Sequence, residues 1–495
     1  MPYILSLDEG TTSARAALYN RQARAIALEA VPIQCQYPQP GWVEQSAETI
    51  WDAQLAAVRR LLERTGISVG EIVAAGITNQ RETTIVWERS TGRPIAPAIV
   101  WQCRRTSKLC SELSASPAAA RISSKTGLVI DPYFSATKIR WILDEVPDAA
   151  RRARDGELLF GTVDTWLIWK LSQGRAHVTD VTNASRTMLL NLRTGEWDDD
   201  MLLLFDIPRA MLPRIIPSCG VEATIAVELL GREIPIGGVA GDQQAALAGQ
   251  ACFRPGLSKN TYGTGCFALL HTGGQVPASR HGLVSTRAAG ADGEARFAIE
   301  GSVFVAGAAI QWLRDQLGLL LSASESEPVA LSVPDTAGVY LVPAFAGLGA
   351  PHWDAGARGL ITGITGSTSR AHLVRAALES IAYQTRELVE AMEADAGSPL
   401  SELRVDGGAA VNNFLLQFQA DILDRPIVRP ADTETTALGA ALLAGLATGF
   451  WSGLSEIESF WRVDRRFDPR MAEGERQRLY AGWQEAVARC RYSRQ

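Results

Sequence analysis

The chain has 495 residues, too many for one ordinary hydrophobic core, so two or more domains are expected. Its 46% hydrophobic and 21% charged residues are ordinary for a soluble globular protein, and with a net charge of -6 and no long Lys/Arg run, nucleic acid is disfavoured as a partner. Seven cysteines without a CxxC pair and five scattered histidines disfavour a disulfide framework, a zinc site and a histidine-rich metal centre, and fit reduced thiols in a cytoplasm.

The N-terminus enters a strand directly, with no charged and apolar leader pattern that would suggest export. In "ILSLDEGTTSARAALYN" a strand delivers Asp8 into a turn, and a second strand follows. Gly10 is expected to permit a turn that side chains would forbid, and successive amide N–H groups there would form an anion nest. Thr11, Thr12 and Ser13 add hydroxyls and Arg15 adds a cation. A carboxylate beside a phosphate nest is repulsive unless a cation lies between them, so Asp8 makes sense as a Mg²⁺ ligand, directly or through water. The bland alternative is a surface hairpin.

Next, "SAETIWDAQLAAVRRLLERTG" predicts a helix capped near Ser46, with Ile50, Trp51, Leu55, Val58, Leu61 and Leu62 on one face. "VAAGITNQRETTIVWE" predicts strand, polar turn, strand, and sets Arg81 beside Glu82. That pair is either a surface ion pair or a fork that donates to and accepts from vicinal hydroxyls. Trp101 and Tyr133 are either core residues or the walls of a small polyol site. In "IPIGGVAGDQQAALAGQ" a strand ends at Ala240, Gly241 turns the chain, and Asp242 stands at a helix N-terminus, where the dipole favours an ionised carboxylate. The carboxyl end of a strand is also where open α/β sheets bind ligands, although a plain capping aspartate reads the same way.

"KNTYGTGCFALLH", half a chain later, repeats the form of "LDEGTTSARAALY". "AHLVRAALESIAYQTRELVEAMEAD" predicts a long helix, and "LRVDGGAAVNNF" a strand running through paired glycines to a helix near Asn412. The apolar run Ala437 to Leu454 is long enough for a membrane span, but its Ala and Gly content suits a buried helix lying close to a sheet. Neither GxxxxGK[ST] nor GxGxxG occurs, so a nucleotide would be held by another design. Alternating strands and helices predict an α/β protein with partly parallel sheets, and the hairpin echo predicts two related halves, 1–250 and 251–495, each lending a phosphate-gripping turn to a shared cleft.

Taken together these stretches resemble the FGGY family of carbohydrate kinases, and its glycerol-phosphorylating branch in particular. The resemblance runs from Tyr3 to about Trp483 and rests on many ordered segments, among them "GITNQRETTIVWE", "YFSATKIRWILDE", "AGDQQAALAGQ", "NTYGTGCF", "PAFAGLGAPHWD" and "RGLITGITGSTSRAHLVRAALE". It implies two ribonuclease-H-like α/β domains of the actin and hexokinase type, with the active site in the cleft between them. The N-terminal domain would bind the polyol, and the C-terminal domain the adenosine. It implies transfer of phosphate from ATP to glycerol, with Mg²⁺, in a cytoplasmic homo-oligomer, dimer or tetramer.

Carried over by position, Arg81, Glu82, Tyr133, Asp242 and Gln243 would contact glycerol, with Trp101 and Phe267 packing its carbons. Thr11, Thr12, Ser13, Arg15, Thr264, Gly307, Gln311, Gly408 and Asn412 would contact the nucleotide; Asp8 would serve Mg²⁺ and Asp242 would be the general base. Glu9 stands where many members carry Gln, and strand alternation is expected to turn it away from the face of Asp8. In "VELLGREIPIGG" only Gly231 and Arg232 echo the loop that senses fructose 1,6-bisphosphate in some bacterial members. No His lies between His177 and His271, where others are activated by phosphorylation. Neither control is expected to operate normally.

Overall fold

The computed structural model describes residues 1–291, 293–345, 347–354 and 356–492. Among them two large mixed sheets dominate. The first is built from β1 (Tyr3–Glu9), β2 (Ser13–Tyr19), β3 (Ala25–Pro32), β4 (Ile72–Asn79), β5 (Cys219–Ile225) and β6 (Ile234–Gly241), in the order β5-β6-β4-β1-β2-β3. The second is built from β7 (Ser258–Tyr262), β8 (Cys266–Gly273), β9 (Val284–Arg287), β10 (Phe297–Val303), β11 (Leu403–Asp406), β12 (Ile427–Pro430) and β13 (Val463–Phe467), in the order β9-β10-β8-β7-β11-β12-β13.

The two sheets share one plan. A hairpin, β1–β2 or β7–β8, lies inside each. Its first strand pairs in parallel with a later strand, β4 or β11, which pairs in parallel with β6 or β12. An antiparallel strand closes that edge, β5 or β13. The echo between the two hairpins therefore extends to whole sheets. The halves differ in that β5 precedes its neighbour in the chain whereas β13 follows it, and in the extra edge strand β9. The strand Ile85–Glu88 after the Arg81–Glu82 turn does not extend the first sheet; it pairs with Leu158–Gly161 in a ribbon of its own.

Six helices position the site: α1 (Ala47–Thr65), α2 (Asp242–Gly249), α3 (Gly307–Asp315), α4 (Arg370–Ala396), α5 (Asn413–Leu423) and α6 (Thr435–Ala447). Ser46 caps α1, accepting from the Thr49 amide at 3.2 Å, and Gly66 ends it at φ 65°. Alternation along β1 sends Leu5 and Leu7 toward α1 and Ile4 toward α6. The apolar run beginning at Ala437 is the buried helix expected of it, and it leaves the helix at Ala447. Among the described residues no helix is long and apolar enough to cross a membrane.

Small residues explain the place of α6. Although α6 belongs to the second half of the chain, it packs on the first sheet. A Cβ at Gly76 would lie 2.1 Å from the Ala440 carbonyl oxygen, and one at Gly238 would lie 2.5 Å from the Ala444 nitrogen. The same helix crosses α2 backbone to backbone. A Cβ at Gly439 would lie 1.8 Å from the Ala245 oxygen, and one at Gly249 would lie 1.9 Å from the Thr435 oxygen.

Candidate active site

Each leading hairpin ends in a turn of glycine and hydroxyl residues. In the first, the Gly10 amide donates to the Ser13 carbonyl at 3.0 Å. Gly10 does not take a left-handed backbone, and a Cβ there would meet the Ser13 oxygen at 3.2 Å; the turn is tight around Gly10 but does not forbid a side chain. In the second, the Gly263 amide donates to the Gly265 carbonyl at 2.9 Å. This turn is seated on the start of α3, where the Ala306 and Ala308 amides donate to the Thr264 carbonyl at 2.8 and 3.1 Å. Gly307 has to be glycine, because a Cβ would lie 2.6 Å from the Gly263 oxygen.

Between the turns lies a pocket of about 170 Å³, lined by Thr11, Arg81, Glu82, Trp101, Gln102, Tyr133, Asp242, Thr264, Gly265, Phe267 and Phe304. Trp101 meets Tyr133 and Phe267 edge-on, with ring centroids 5.6 and 6.3 Å apart, and its indole N–H donates to the Thr11 hydroxyl at 2.9 Å. The pocket floor is a buried charge cluster. Arg81 forks onto Glu300 at 2.6 and 2.9 Å, and its Nε lies 3.1 Å from Asp242 Oδ1. Its remaining N–H groups donate to Gln244 Oε1 at 3.2 Å and to the Tyr133 hydroxyl at 3.3 Å. Arg186 donates to Glu82 at 2.6 Å and to Glu300 at 3.0 Å.

Glu82 adopts φ 60°, a strained backbone for a side-chain-bearing residue, held by Ser135, Lys138 and Thr84 donating to its carbonyl. Burial alone would raise the Glu300 carboxyl, but Arg186 and Arg81 reverse that and hold it at about 2. Asp242, at the first position of α2, accepts from the Gln243 amide at 2.7 Å. Burial raises its pKa, against Arg81 and Lys259, which lower it.

A second, larger groove of about 450 Å³ adjoins the first, and Thr264 lines both. Tyr262, Gly263, Gly307, Gln311, Gly408 and Asn412 are among its walls. Asn412 caps α5, accepting from the Leu415 amide at 2.9 Å, and Gly407 turns the chain at φ 86° where a Cβ would strike Tyr262. A single 3-10 turn, Gly408–Val411, follows, with open space around Gly408.

The N-terminal domain of the FGGY family of carbohydrate kinases matches residues 3–249, and its C-terminal domain matches residues 258–448. The chain belongs to the FGGY family of carbohydrate kinases. This FGGY kinase is 56% identical to glycerol kinase 2 of Thermotoga maritima over 489 residues, 99% of each chain. It is 56% identical to a glycerol kinase of Carboxydothermus hydrogenoformans over 490 residues, 99% of this chain and 98% of the other. Its structure superposes on a glycerol kinase of Plasmodium falciparum crystallised with ADP at a TM-score of 0.92, with 37% identity, covering 99% and 98% of the two chains. A xylulose kinase of Lactobacillus acidophilus shares the fold at TM-score 0.88 and 22% identity, over 100% and 99% of the chains. The fold is thus the two-domain actin and hexokinase type.

Within this FGGY kinase the residues singled out from the sequence separate into groups. Arg81, Glu82, Trp101, Tyr133, Asp242, Phe267 and Thr11 line the small pocket; Thr264 lines both, and Gly307, Gln311, Gly408 and Asn412 line the groove. Asp8, Thr12, Ser13, Arg15 and Gln243 line neither pocket. The Thr12 side chain is exposed, Ser13 accepts from Arg15 at 3.3 Å, and the Gln243 amide oxygen is held by Lys259.

Asp8 is buried, with Arg15 at 3.7 Å, and burial, aided by Asp242 and Glu434 and opposed by Arg15, raises its pKa to about 6. Among the described residues no three His, Cys, Asp or Glu side chains gather into a metal cage. The carboxylate oxygens of Asp8 and Asp242 fit a hard cation that takes its other ligands from phosphate and water.

Arg186, Glu300 and Lys259 were not singled out as site residues from the sequence, although Lys259 opens the second hairpin motif. Lys259, fully buried, donates to Gln243, Thr261 and Phe267; burial lowers its pKa to about 8, against Asp406 and Asp242. The only sequence signal was their position, on strands or turns leading into the cleft.

Proposed function

We propose that this chain is an ATP:glycerol 3-phosphotransferase, converting glycerol and ATP to sn-glycerol 3-phosphate and ADP. One observation carries the reading: a pocket of about 170 Å³, with four aromatic residues in its walls and a charged floor, adjoins at Thr264 a groove sized for a nucleotide. The small pocket suits a three-carbon triol. Its rings cover carbon, and its ionic floor satisfies hydroxyls. The 56% identity to glycerol kinases over the whole chain supports the same substrate.

In the proposed mechanism the Arg81 and Glu82 side chains orient two hydroxyls and leave the third facing the γ-phosphoryl group. The four Nη N–H groups of Arg81 are hydrogen-bonded within the protein and its Nε lies in ion-pair range of Asp242, so binding exchanges one of these partners for a substrate oxygen. Asp242 accepts the proton of the attacking hydroxyl as the new O–P bond forms and the bond to ADP breaks. The amides and hydroxyls of the two turns, Thr11, Thr12, Ser13 and Thr264, hold the phosphates with Arg15. Gly307, Gln311, Gly408 and Asn412 receive the adenosine. Mg²⁺, held by Asp8, would neutralise phosphate charge. Closure of residues 1–250 on 251–495 excludes water, which otherwise competes as acceptor. A cytoplasmic dimer or tetramer is the proposed setting.

The test is ADP release across a panel of polyols and ketopentoses, with Asp242→Asn alongside. Glycerol is expected to be preferred, with kcat in Asp242→Asn down about 10²–10⁴-fold and glycerol KM little changed. Preference for a pentose, or near-normal kcat in the variant, refutes the reading.

A further inference from the structure

A third cavity, of about 300 Å³, shares no lining residue with the polyol pocket or the nucleotide groove. It lies in the seam between the halves: Arg193, Gly195, Pro217 and Ser218 come from one and Arg287 and Arg296 from the other. Neither Gly231 nor Arg232 belongs to it.

Arg287, the last residue of β9, is 5% exposed, yet among the described residues no carboxylate pairs with it. Its Nε has no hydrogen-bond partner, and its Nη2 donates to the Arg193 carbonyl at 3.1 Å. The guanidinium lies over the Phe297 ring, 4.6 Å from its centroid. The neighbouring turn is shaped to admit it: Gly195 is left-handed at φ 75°, and a Cβ there would lie 2.8 Å from Arg287 Nη2. The contrast with Arg81 and Arg186 is sharp, because those buried guanidiniums have three and two carboxylates within ion-pair range.

A buried cation without a counter-ion is costly, and an anion from solvent would offset the cost. Arg193 is exposed at the rim. Arg296 also lines the cavity, in an ion pair with Glu294 at 3.0 Å, so among the described residues one carboxylate stands there too, paired with its own arginine.

We propose that this seam cavity binds a small oxyanion, inorganic phosphate or the phosphoryl group of a phosphomonoester, on the free edge of Arg287 with Arg193 closing from the rim. The volume leaves room for a few carbons beyond the phosphoryl group.

Two hydrogen-bond chains connect the cavity to the active site. The Arg287 amide donates to Ser185 Oγ at 3.3 Å, which contacts Thr286 Oγ1 at 2.8 Å. Thr286 accepts from Gln244 at 3.0 Å, and Gln244 accepts from Arg81. On the other wall Ser218 donates to Asp180 at 2.7 Å, Thr182 donates to Asp180 at 3.0 Å, and Thr182 accepts from the Gly241 amide, beside Asp242, at 3.0 Å. An anion gripping both halves here would act on the separation of the lobes.

The test is isothermal titration calorimetry on the full chain, with the catalytic cleft filled by glycerol and β,γ-methylene ATP. Inorganic phosphate and glycerol 2-phosphate are titrated separately. Saturable binding of at least one is expected, weakened about tenfold by Arg287→Gln and less by Arg193→Gln, with KM for glycerol and ATP unchanged in both. Tighter binding of the ester assigns a phosphorylated metabolite as the ligand; equal or weaker binding assigns the free ion. Arg193 is exposed, so its variant folds even if Arg287→Gln does not. No saturable heat with either probe, or heats unchanged in the variants that fold, overturns the proposal.

Discussion

Asp8 and Glu9 are neighbours on one strand with opposite surroundings. Alternation along β1 places Asp8 on the side of Ile4, beside Arg15, and Glu9 on the side of Leu5 and Leu7, so Glu9 turns away from the face of Asp8. What alternation does not reveal is that Glu9 is fully buried with neither carboxyl oxygen hydrogen-bonded. Burial first, and then the charge of Asp8, raise its pKa well above the ordinary 4.5. The folded protein therefore keeps a proton on Glu9 at pH values where the unfolded chain has lost it. The stabilisation is fully present below the unfolded pKa and is lost as pH rises toward the folded one. Glu9→Gln does not titrate, so above pH 4.5 it should gain on the wild type by about 1.4 kcal/mol per pH unit until Glu9 ionises. Urea denaturation of both proteins at about pH 5 and about pH 7 measures this, and a constant difference contradicts it. Because Glu9 faces away from the cleft, kcat should stay near normal.

At the scale of elements, the crossing of α2 and α6 decides where Asp242 sits. Gly249 and Gly439 bring the two backbones into direct contact, and Asp242 begins α2. In Gly439→Ala the new Cβ meets a backbone carbonyl, not a flexible side chain, so one helix has to shift. The cost should be about 1–3 kcal/mol, seen as a lower Tm, with kcat falling as well because α2 carries the acid. Unchanged Tm and kcat would show that the crossing is compliant. The sequence reads the run Ala437 to Leu454, rich in Ala and Gly, as a buried helix lying close to a sheet; the structure ends that helix at Ala447. That it packs on the sheet of the other half is invisible in the sequence, because small residues fit any close neighbour.

At the scale of the whole molecule, Glu300 is an electrostatic link between lobes. It stands on β10 of the second sheet and holds Arg81 and Arg186 of the first half. Glu300→Gln leaves two buried guanidiniums sharing the single carboxylate of Glu82 and the Asp242 contact. A loss of about 3–5 kcal/mol is expected, with a raised glycerol KM because Arg81 is no longer held. Equilibrium unfolding and steady-state kinetics check both. A variant as stable as wild type, with unaltered KM, would show that the link is dispensable.

The sequence by itself determined the two hairpins, their glycine and hydroxyl turns, the acids at the ends of strands and the doubled α/β plan. These are set by neighbouring residues through backbone preference and side-chain periodicity. Only the tertiary structure decided that Glu300 joins Arg81 and Arg186, that Arg186 backs Glu82 and Lys259 holds Gln243, and that among the described residues no carboxylate pairs with buried Arg287. Glu300 reaches Arg81 across 219 residues of chain, and Arg186 reaches Glu82 across 104. Pairing over such spans is fixed by how the two sheets and their crossing helices pack, and no local pattern encodes which charge meets which.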